Sequence, residues 1–236
     1  HRQHLAARRG EDVRDRLHRL ELPVRGVLGH GAPGLGRVVV DDLAERVLRE
    51  PGDPEPSAER RPVLADVAVD AVLVADIAAS LASDGRQAET AYIAGMLHDV
   101  GRLALMDGLP REYAKICRMA REGALPLHDA EMEVLGVTHT QIGAYLLRLW
   151  HLPEAVVEAV AFHHRPSAIG AAAPVIPLIV HVADALANEV APELAAGQSV
   201  PAELDLECLG RMDLLDQLPA WREIARERRA HSARSR

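Results

Sequence analysis

The chain has 236 residues, of which 48% are hydrophobic and 26% are charged, and its formal net charge is −8. This length can bury the core of one or two domains, and the acidic balance predicts no nucleic-acid partner, because such binding needs a clustered basic surface. The chain has no run of about 18 apolar residues, and its start is charged throughout, so we expect no membrane span, no signal peptide and a cytoplasmic location.

The first part of the chain differs in composition from the rest. All six aromatic residues lie after position 91, and the earlier residues include "GHGAPGLGR" and "REPGDPEPSAERRP", whose glycines and prolines break helices. We expect at most two short helices there, around "EDVRDRLHRL" and "DDLAERVLRE", before a longer apolar helix from about Leu64 to Leu81. Residues 1–63 are therefore predicted to form a poorly defined N-terminal segment.

From about Ala88 onward, helix start and stop signals follow one another. Pro110 begins "PREYAKICRMAREG", and Gly123 stands where a helix would end in a left-handed residue; "PLHDAEMEVLG" repeats this pattern. Thr138 and Gln141 have the spacing of a capping box. Pro153 begins "PEAVVEAVAFHH". Because no alternating strand pattern appears, the fold class is predicted to be all-α.

The most buried helix is predicted to be "PVIPLIVHVADALANEV", which is apolar on most sides. Asp184 interrupts this run, and an unpaired carboxylate there would be costly to bury, so we expect it to have a cation, a donor or a metal as partner. His181 and Asn188 lie on the same helical face as Asp184.

Four groups of polar residues have the chemistry of metal ligands. Imidazoles mixed with carboxylates suit Mn, Fe, Mg or Zn, and a metal held by them could lower the pKa of a bound water for attack on phosphorus. The alternative is that these side chains only hydrogen-bond one another and hold helix ends in register, which we also expect of His128, His151 and His181. The candidate metal ligands are His98, Asp99, His139, His163, His164 and Asp184.

The stretches that carry these residues resemble a known family. "AYIAGMLHDVGRLAL", "THTQIGAYLLRLWHLPEAVVEAVAFHHRPS" and "PLIVHVADALANEV" are similar to the HDOD domain, the HD-related output domain of bacterial signalling proteins. The resemblance spans about Val74 to Val190 and extends into a tail like that of two-component response regulators. It implies a multi-helix bundle of the HD-superfamily type over residues 64–229. From their charge alone, residues 230–236 are expected to form a basic tail.

The resemblance also implies roles for the polar residues. HDOD domains are related to HD phosphohydrolases and HD-GYP phosphodiesterases, whose ligand positions match the six candidate metal ligands. Two positions depart from those enzymes: the helix before His98 has no histidine, with Asp70 nearest the expected place, and Arg102 replaces a lysine. The GYP signature is also absent. One turn of misregister would leave Asp70 in solvent.

The N-terminal segment is a further departure, because the family would have helices there. We hypothesise that residues 1–63 are diverged, disordered, or translated in a shifted frame that rejoins the family near Val74.

Two main functions follow from the resemblance. The first is a non-catalytic output module, with no catalytic residue and no cofactor-binding residue, that relays a signal from a receiver domain to a protein partner. The second is a metal-dependent phosphohydrolase acting on a nucleotide or a cyclic dinucleotide. The missing ligand histidine and lysine favour the first, and a sensor that binds a metal or nucleotide without turnover is a third alternative.

Overall fold

A computed structural model describes residues 60–169, 175–194, 200 and 202–234, with side chains from Val67 onward. All of these residues belong to one unit of the chain, Ala32–Arg236. The two short helices expected around "EDVRDRLHRL" and "DDLAERVLRE" lie outside the described residues.

The described part of the chain forms α-helices and short 3-10 turns without a β-strand, so the all-α prediction is confirmed. The 3-10 turns are Pro166–Ile169, Pro192–Leu194 and Leu215–Gln217. The α-helices, in chain order, are α1 (Arg60–Leu81), α2 (Gly85–Leu97), α3 (Val100–Gly108), α4 (Pro110–Gly123), α5 (Leu127–Leu135), α6 (His139–Leu149), α7 (Glu154–Phe162), α8 (Val175–Val190), α9 (Leu206–Arg211) and α10 (Leu218–Arg234).

Helix boundaries follow the local chemistry of the sequence. The capping box at the start of α6 is present: Thr138 Oγ1 accepts from the Gln141 backbone N–H, and Gln141 Oε1 accepts from the Thr138 backbone N–H. At the end of α5, Gly136 is left-handed with φ of 68°, as predicted.

The end of α4 differs from the prediction. The left-handed residue is Ala124, with φ of 47°, and not Gly123, which is the last residue of the helix. The Ala124 backbone N–H bonds to the Ala120 carbonyl, so the helix continues one residue further than the glycine rule placed its end.

Helix α8 lies in the centre of the core. Of its 16 residues, 13 are buried, which confirms the prediction that it is the most buried helix of the set. It packs against α1, α2, α7 and α10, while α3 packs on α6 and α4 packs on α5. In the described residues, no helix combines the length and the apolar character that crossing a membrane requires.

Candidate metal centre

The six candidate ligands lie close together, although they come from four separate stretches of the sequence. His98 ends α2 and Asp99 precedes α3, so the pair lies at the junction of two helices. His139 begins α6, and His163 with His164 follows α7. Asp184 lies within α8. Five of the six are buried, and His164 is half-buried.

Short distances join these side chains. His98 Nε2 is 3.6 Å from Asp99 Oδ2 and 4.0 Å from Asp184 Oδ1. Asp99 Oδ1 is 3.3 Å from His139 Nε2 and 4.0 Å from His163 Nε2. His164 Nδ1 is 3.6 Å from Asp184 Oδ2. The sequence therefore identified residues that converge, as ligands of a shared ion would have to.

Two close helix crossings produce this convergence. A Cβ atom added at Gly101 would lie 1.9 Å from the His139 carbonyl oxygen, so α3 and α6 touch through their backbones, and Asp99 lies beside His139. A Cβ atom added at Gly95 would lie 2.7 Å from Cα of Ala75, so α2 also lies close to α1. Each crossing requires a residue without a side chain.

The ligand atoms form three overlapping groups. Within each group, one nitrogen or oxygen atom of every member lies within 4.8 Å of the others. His98 and His163 each belong to two groups, so the groups share one continuous polar cluster. The groups are Asp70–His98–Asp184, His98–Asp99–His163 and His139–His163–His164.

Asp70 belongs to the cluster, although the sequence did not decide whether its side chain is buried there or exposed to solvent. Its side chain is 4% exposed, so the helical register places it in the core and not in solvent. Burial raises the pKa of Asp70 to about 7; His98 opposes this rise, while the carboxylates of Asp184 and Asp99 add to it. The sequence signal was an aspartate on an otherwise apolar helix.

Glu131 contacts the cluster through His139, and the sequence did not predict this contact. It is fully buried on the apolar face of α5, between Leu127 and Leu135. Its Oε2 atom accepts hydrogen bonds from both Nδ1 and the backbone N–H of His139, each at 2.7 Å. Leu127, Glu131 and Leu135 follow one another at four-residue spacing on one helical face. A carboxylate between two leucines on that face was the sequence signal that could have identified Glu131.

Arg102 is buried inside the cluster. Its guanidinium forms an ion pair with Asp99 and donates from Nε to Tyr113 Oη at 3.3 Å, and it is 1% exposed. Burial alone would raise the pKa of Asp99, but Arg102 and the neighbouring histidines outweigh it and hold that pKa well below its usual range. The sequence showed only that an arginine replaces a lysine at this position, and the structure shows that this arginine is an internal cation.

Backbone carbonyls fix the orientation of two imidazoles. His98 Nδ1 donates to the Gly95 carbonyl at 2.7 Å, and His163 Nδ1 donates to the Val160 carbonyl at 2.9 Å. His163 Nε2 has no hydrogen-bond partner among the described residues. Burial lowers the pKa of His98, but the carboxylates of Asp99 and Asp184 outweigh it, so that pKa is raised. Burial, together with the charges of His98 and His139, holds the pKa of His163 well below its usual value, so this ring is neutral near pH 7.

Two buried atoms of the cluster lack a hydrogen-bond partner among the described residues: His163 Nε2 and Asp184 Oδ2. Asn188 donates to the other oxygen of Asp184 at 3.0 Å, as its place on the same helical face suggested. His181 does not bond to the Asp184 carboxylate; its Nδ1 donates to the His163 carbonyl at 2.6 Å. Unpartnered buried acceptors are costly, so the donor set fits a divalent cation.

A cavity of about 240 Å³ reaches the edge of the cluster. His139 and His164 are the cluster residues that line it, and His128 stacks on His164 with a ring-centroid distance of 4.7 Å. The remaining wall includes Leu127 and Glu203. The other candidate ligands are absent from this wall, so the cavity meets the cluster at its histidine side.

Comparisons with known proteins agree with this architecture. Residues 54–166 match the family model described as the HDOD domain. The match begins before Val74, where the resemblance was expected to start. An uncharacterised protein of Treponema pallidum (strain Nichols) is 34% identical over 73 residues, which cover 31% of this chain and 14% of that protein.

Two solved structures share the fold at 21% identity. An HDOD domain protein of unknown function from Geobacter sulfurreducens aligns with a TM-score of 0.52 over 81% of this chain and 63% of its own. A proposed signal transduction protein from Marinobacter aquaeolei VT8 aligns with a TM-score of 0.51 over 80% of this chain and 42% of its own. The chain thus spans less than two thirds of each of these three relatives.

Proposed function

Because residues 54–166 match the HDOD domain family, we propose that this chain contains an HDOD domain and that it is a non-catalytic output module of bacterial signal transduction. In this proposal the module acts in the cytoplasm as part of a two-component response regulator. It receives a state change from a receiver domain and passes it to a protein partner. The polar cluster is the part of the domain whose state can change.

The burial of the cluster carries the non-catalytic part of the proposal. His98, Asp99, His163 and Asp184 are each at most 4% exposed. A hydrolase acting on phosphate esters must bring phosphorus next to its metal and its attacking water. Among the described residues, this cavity touches the cluster at His139 and His164, and the carboxylates do not line it in this conformation.

The Arg102–Asp99 ion pair supports the same conclusion. A phosphate-binding cation has to face the substrate, whereas Arg102 is buried and its charge is used by Asp99. Arginine also keeps its proton, so Arg102 is a poor donor to a leaving group.

A divalent ion fits the cluster as a structural element of the output module. The residues that would hold it are drawn from the six candidate ligands and Asp70, which come from α1, α7, α8, the start of α6 and the junction of α2 with α3. A bound ion supplies positive charge to buried carboxylates, and its binding energy adds to folding energy. The ion would thereby fix the relative positions of these helices. A protein partner could recognise the surface that the helices form in this arrangement.

The second candidate function is a metal-dependent phosphohydrolase acting on a nucleotide or a cyclic dinucleotide. One observation favours it: His163 Nε2 and Asp184 Oδ2 are unpartnered acceptors in a cluster with the ligand types of HD enzymes. A bound divalent ion would supply polarisation of a phosphate ester. In that case the cavity beside His164 would have to widen to admit the substrate.

The decisive experiment is a turnover assay with a matched variant. The purified chain, loaded with Mn²⁺, is incubated with nucleoside mono-, di- and triphosphates, cyclic dinucleotides and a chromogenic phosphate ester. We expect the same background rate for the chain and for Asp99→Asn. Turnover by the chain that disappears in Asp99→Asn would overturn the non-catalytic proposal and favour the hydrolase.

The relay is tested by hydrogen–deuterium exchange with and without Mn²⁺. We expect slower amide exchange upon Mn²⁺ addition not only in the helices of the cluster but also in α10, which packs on α1 and α8. A protection change confined to the residues next to the ion would contradict a relay through the bundle.

A further inference from the structure

Helix α4 carries a row of cations on its outer face. Arg111, Lys115 and Arg118 are separated by four and three residues, so they lie on one side of the helix, and all three are exposed. Within the part of the chain that the structure describes, none of the three forms an ion pair. These three residues are called the cationic stripe below.

Elsewhere the fold pairs many of its arginines internally. Six arginines besides the buried Arg102 form ion pairs with carboxylates: Arg148 with Glu154, Arg165 with Asp129, Arg211 with Glu207, Arg222 with Glu189, Arg226 with Glu223 and Arg229 with Glu193. The net charge of the whole chain is −8, so the cationic stripe is a local reversal of charge. Positive charge that the fold does not neutralise is available to attract and orient a negatively charged partner.

The inner face of the same helix contacts the polar cluster. Tyr113 is buried on this face, and its Oη atom accepts from Arg102 Nε at 3.3 Å. The guanidinium of Arg102 in turn forms the ion pair with Asp99. A chain of polar contacts therefore connects the helix that carries the stripe to a member of the cluster.

Helix α4 lies outside the main hydrophobic core. It packs chiefly on α5 and α3. The core around α8 includes no residue of α4 or α5. A displacement of α4 therefore leaves that core packed, and elements with few core contacts are the ones that move at low cost in free energy.

The side chains around the stripe identify the class of partner. No large apolar residue of α4 is exposed, whereas a helix that inserts into a membrane surface needs an apolar face. Glu112 follows Arg111, and Glu122 lies one turn beyond Arg118 on the same side of the helix. These exposed carboxylates would repel the uniform charge of a nucleic acid or an anionic bilayer, but not a protein that places its own carboxylates at discrete positions.

We propose that the cationic stripe of α4 binds an acidic helix of the protein partner, whose carboxylates recur once per turn along one face. The proposal rests on the output role proposed above and assigns a surface to it. The stripe extends over about 10 Å, because its ends are seven residues apart in a helix, and carboxylates one turn apart on a second helix match that spacing. Tyr113 couples this surface to the cluster, and the coupling acts equally in both directions.

Binding is tested on the full chain with a defined probe. The probe is a fluorescent, alanine-rich helical peptide with glutamates one turn apart along one face, and the comparison peptide has the same glutamates distributed around the helix. Fluorescence anisotropy should show tighter binding of the one-faced peptide, and this binding should weaken as salt is added. Equal affinity for the two peptides would overturn the proposal, because it would reflect net charge alone.

Charge-reversing variants locate the binding surface. Lys115→Glu should weaken binding of the one-faced peptide by about tenfold or more, since it places a like charge in the middle of the stripe. Arg228→Glu, at an exposed arginine of α10, makes the same change of charge and should bind like the unmodified chain. Equal losses in the two variants would overturn the assignment to α4. Circular dichroism of each variant establishes that it is folded.

A third variant has the opposite expected sign. Glu122→Gln removes a carboxylate that repels the acidic peptide, so its affinity should rise, which a loss of structure would not produce. An unchanged or lower affinity would contradict the placement of Glu122 beside the peptide.

Two further probes separate the alternative partners. Vesicles that contain an anionic phospholipid and duplex DNA are each mixed with the chain, and we expect neither to bind in a way that depends on Lys115. Vesicle or DNA binding that Lys115→Glu abolishes, without binding of the peptide, would overturn the choice of a protein partner.

The coupling is measured by hydrogen–deuterium exchange with the one-faced peptide. We expect slower exchange in α4 and in residues 98–102 when the peptide is bound. Tyr113→Phe lacks the hydroxyl group that contacts Arg102, so it should keep the peptide affinity and lose the protection of residues 98–102. Equal protection in the unmodified chain and in Tyr113→Phe would overturn the coupling through Tyr113.

These outcomes are separable from failure of the proposed function. Turnover of a phosphate ester would overturn the non-catalytic proposal and leave the cationic stripe standing as a docking surface. A stripe that does not bind the peptide would overturn this proposal, while the relay through the bundle would remain testable by the exchange experiment with Mn²⁺.

Discussion

Glu131 accepts two hydrogen bonds from His139, one from the ring and one from the backbone, each 2.7 Å long. The first fixes the ring with Nε2 directed at Asp99, 3.3 Å away, and the second satisfies an N–H at the first turn of α6. One buried carboxylate therefore both positions a candidate ligand and caps the helix that carries it.

Replacing this carboxylate by an amide tests its structural contribution. Glu131→Gln keeps the size of the side chain but weakens two charge-assisted hydrogen bonds, so we expect a loss of about 1–3 kcal/mol in the free energy of unfolding, measured by urea denaturation. Glu133→Gln, at an exposed position of the same helix, should change it by less than about 0.5 kcal/mol. Equal effects of the two substitutions would contradict the role of Glu131.

Local chemistry made much of the fold predictable. Prolines, glycines and the Thr138–Gln141 pair act within a few residues, and they gave the starts of α4 and α6 and the end of α5. The ligand residue types at helix ends, such as His98, Asp99 and His163, also predicted residues that lie close together. At the end of α4, where Ala124 adopts the left-handed conformation, the glycine rule was wrong by one residue.

The contacts of Asp70, Arg102 and Glu131 could not be predicted from the sequence. They depend on which face of one helix meets which face of another, and periodicity does not specify that pairing. Gly95 and Gly101 allow the crossings that bring α1 to α2 and α3 to α6, but a glycine in a helical stretch does not name the backbone it will touch. The register of Asp70 could thus be read only from the packed structure.

The crossing at Gly101 leads to a second prediction. In Gly101→Ala the new methyl group would lie 1.9 Å from the His139 carbonyl oxygen, which is a backbone atom at a buried helix start. We expect a loss of about 1–3 kcal/mol or more in unfolding free energy, together with weaker Mn²⁺ binding, because α3 and α6 must separate. Gly85→Ala is the control, since no atom lies within 4 Å of its added Cβ. A stable Gly101→Ala variant with unchanged Mn²⁺ affinity would contradict the close crossing.

The ion pair of Arg102 with Asp99 is tested by a double-mutant cycle in the presence of a chelator. Arg102→Met leaves a buried carboxylate without its cation, so we expect a loss of about 3–5 kcal/mol in unfolding free energy. Asp99→Asn in the same background removes the uncompensated charge and should restore part of that loss. Arg111→Met, at an exposed arginine, should have little effect. If the effects of Arg102→Met and Asp99→Asn simply add, the two groups do not stabilise each other.

Metal binding by the cluster should be visible as thermal stabilisation. An ion that binds the folded chain alone adds about 2.7 kcal/mol of stability when its free concentration is 100 times the dissociation constant, so Mn²⁺ should raise Tm and a chelator should reverse the rise. Asp184→Asn removes a carboxylate shared by the Asp70 group and by the pair with His164. We expect this variant to lose the Mn²⁺-dependent shift in differential scanning calorimetry, whereas Asp216→Asn, at an exposed position, should keep it. A shift of equal size in both variants would show that Mn²⁺ binds without Asp184, whose Oδ2 atom has no hydrogen-bond partner among the described residues.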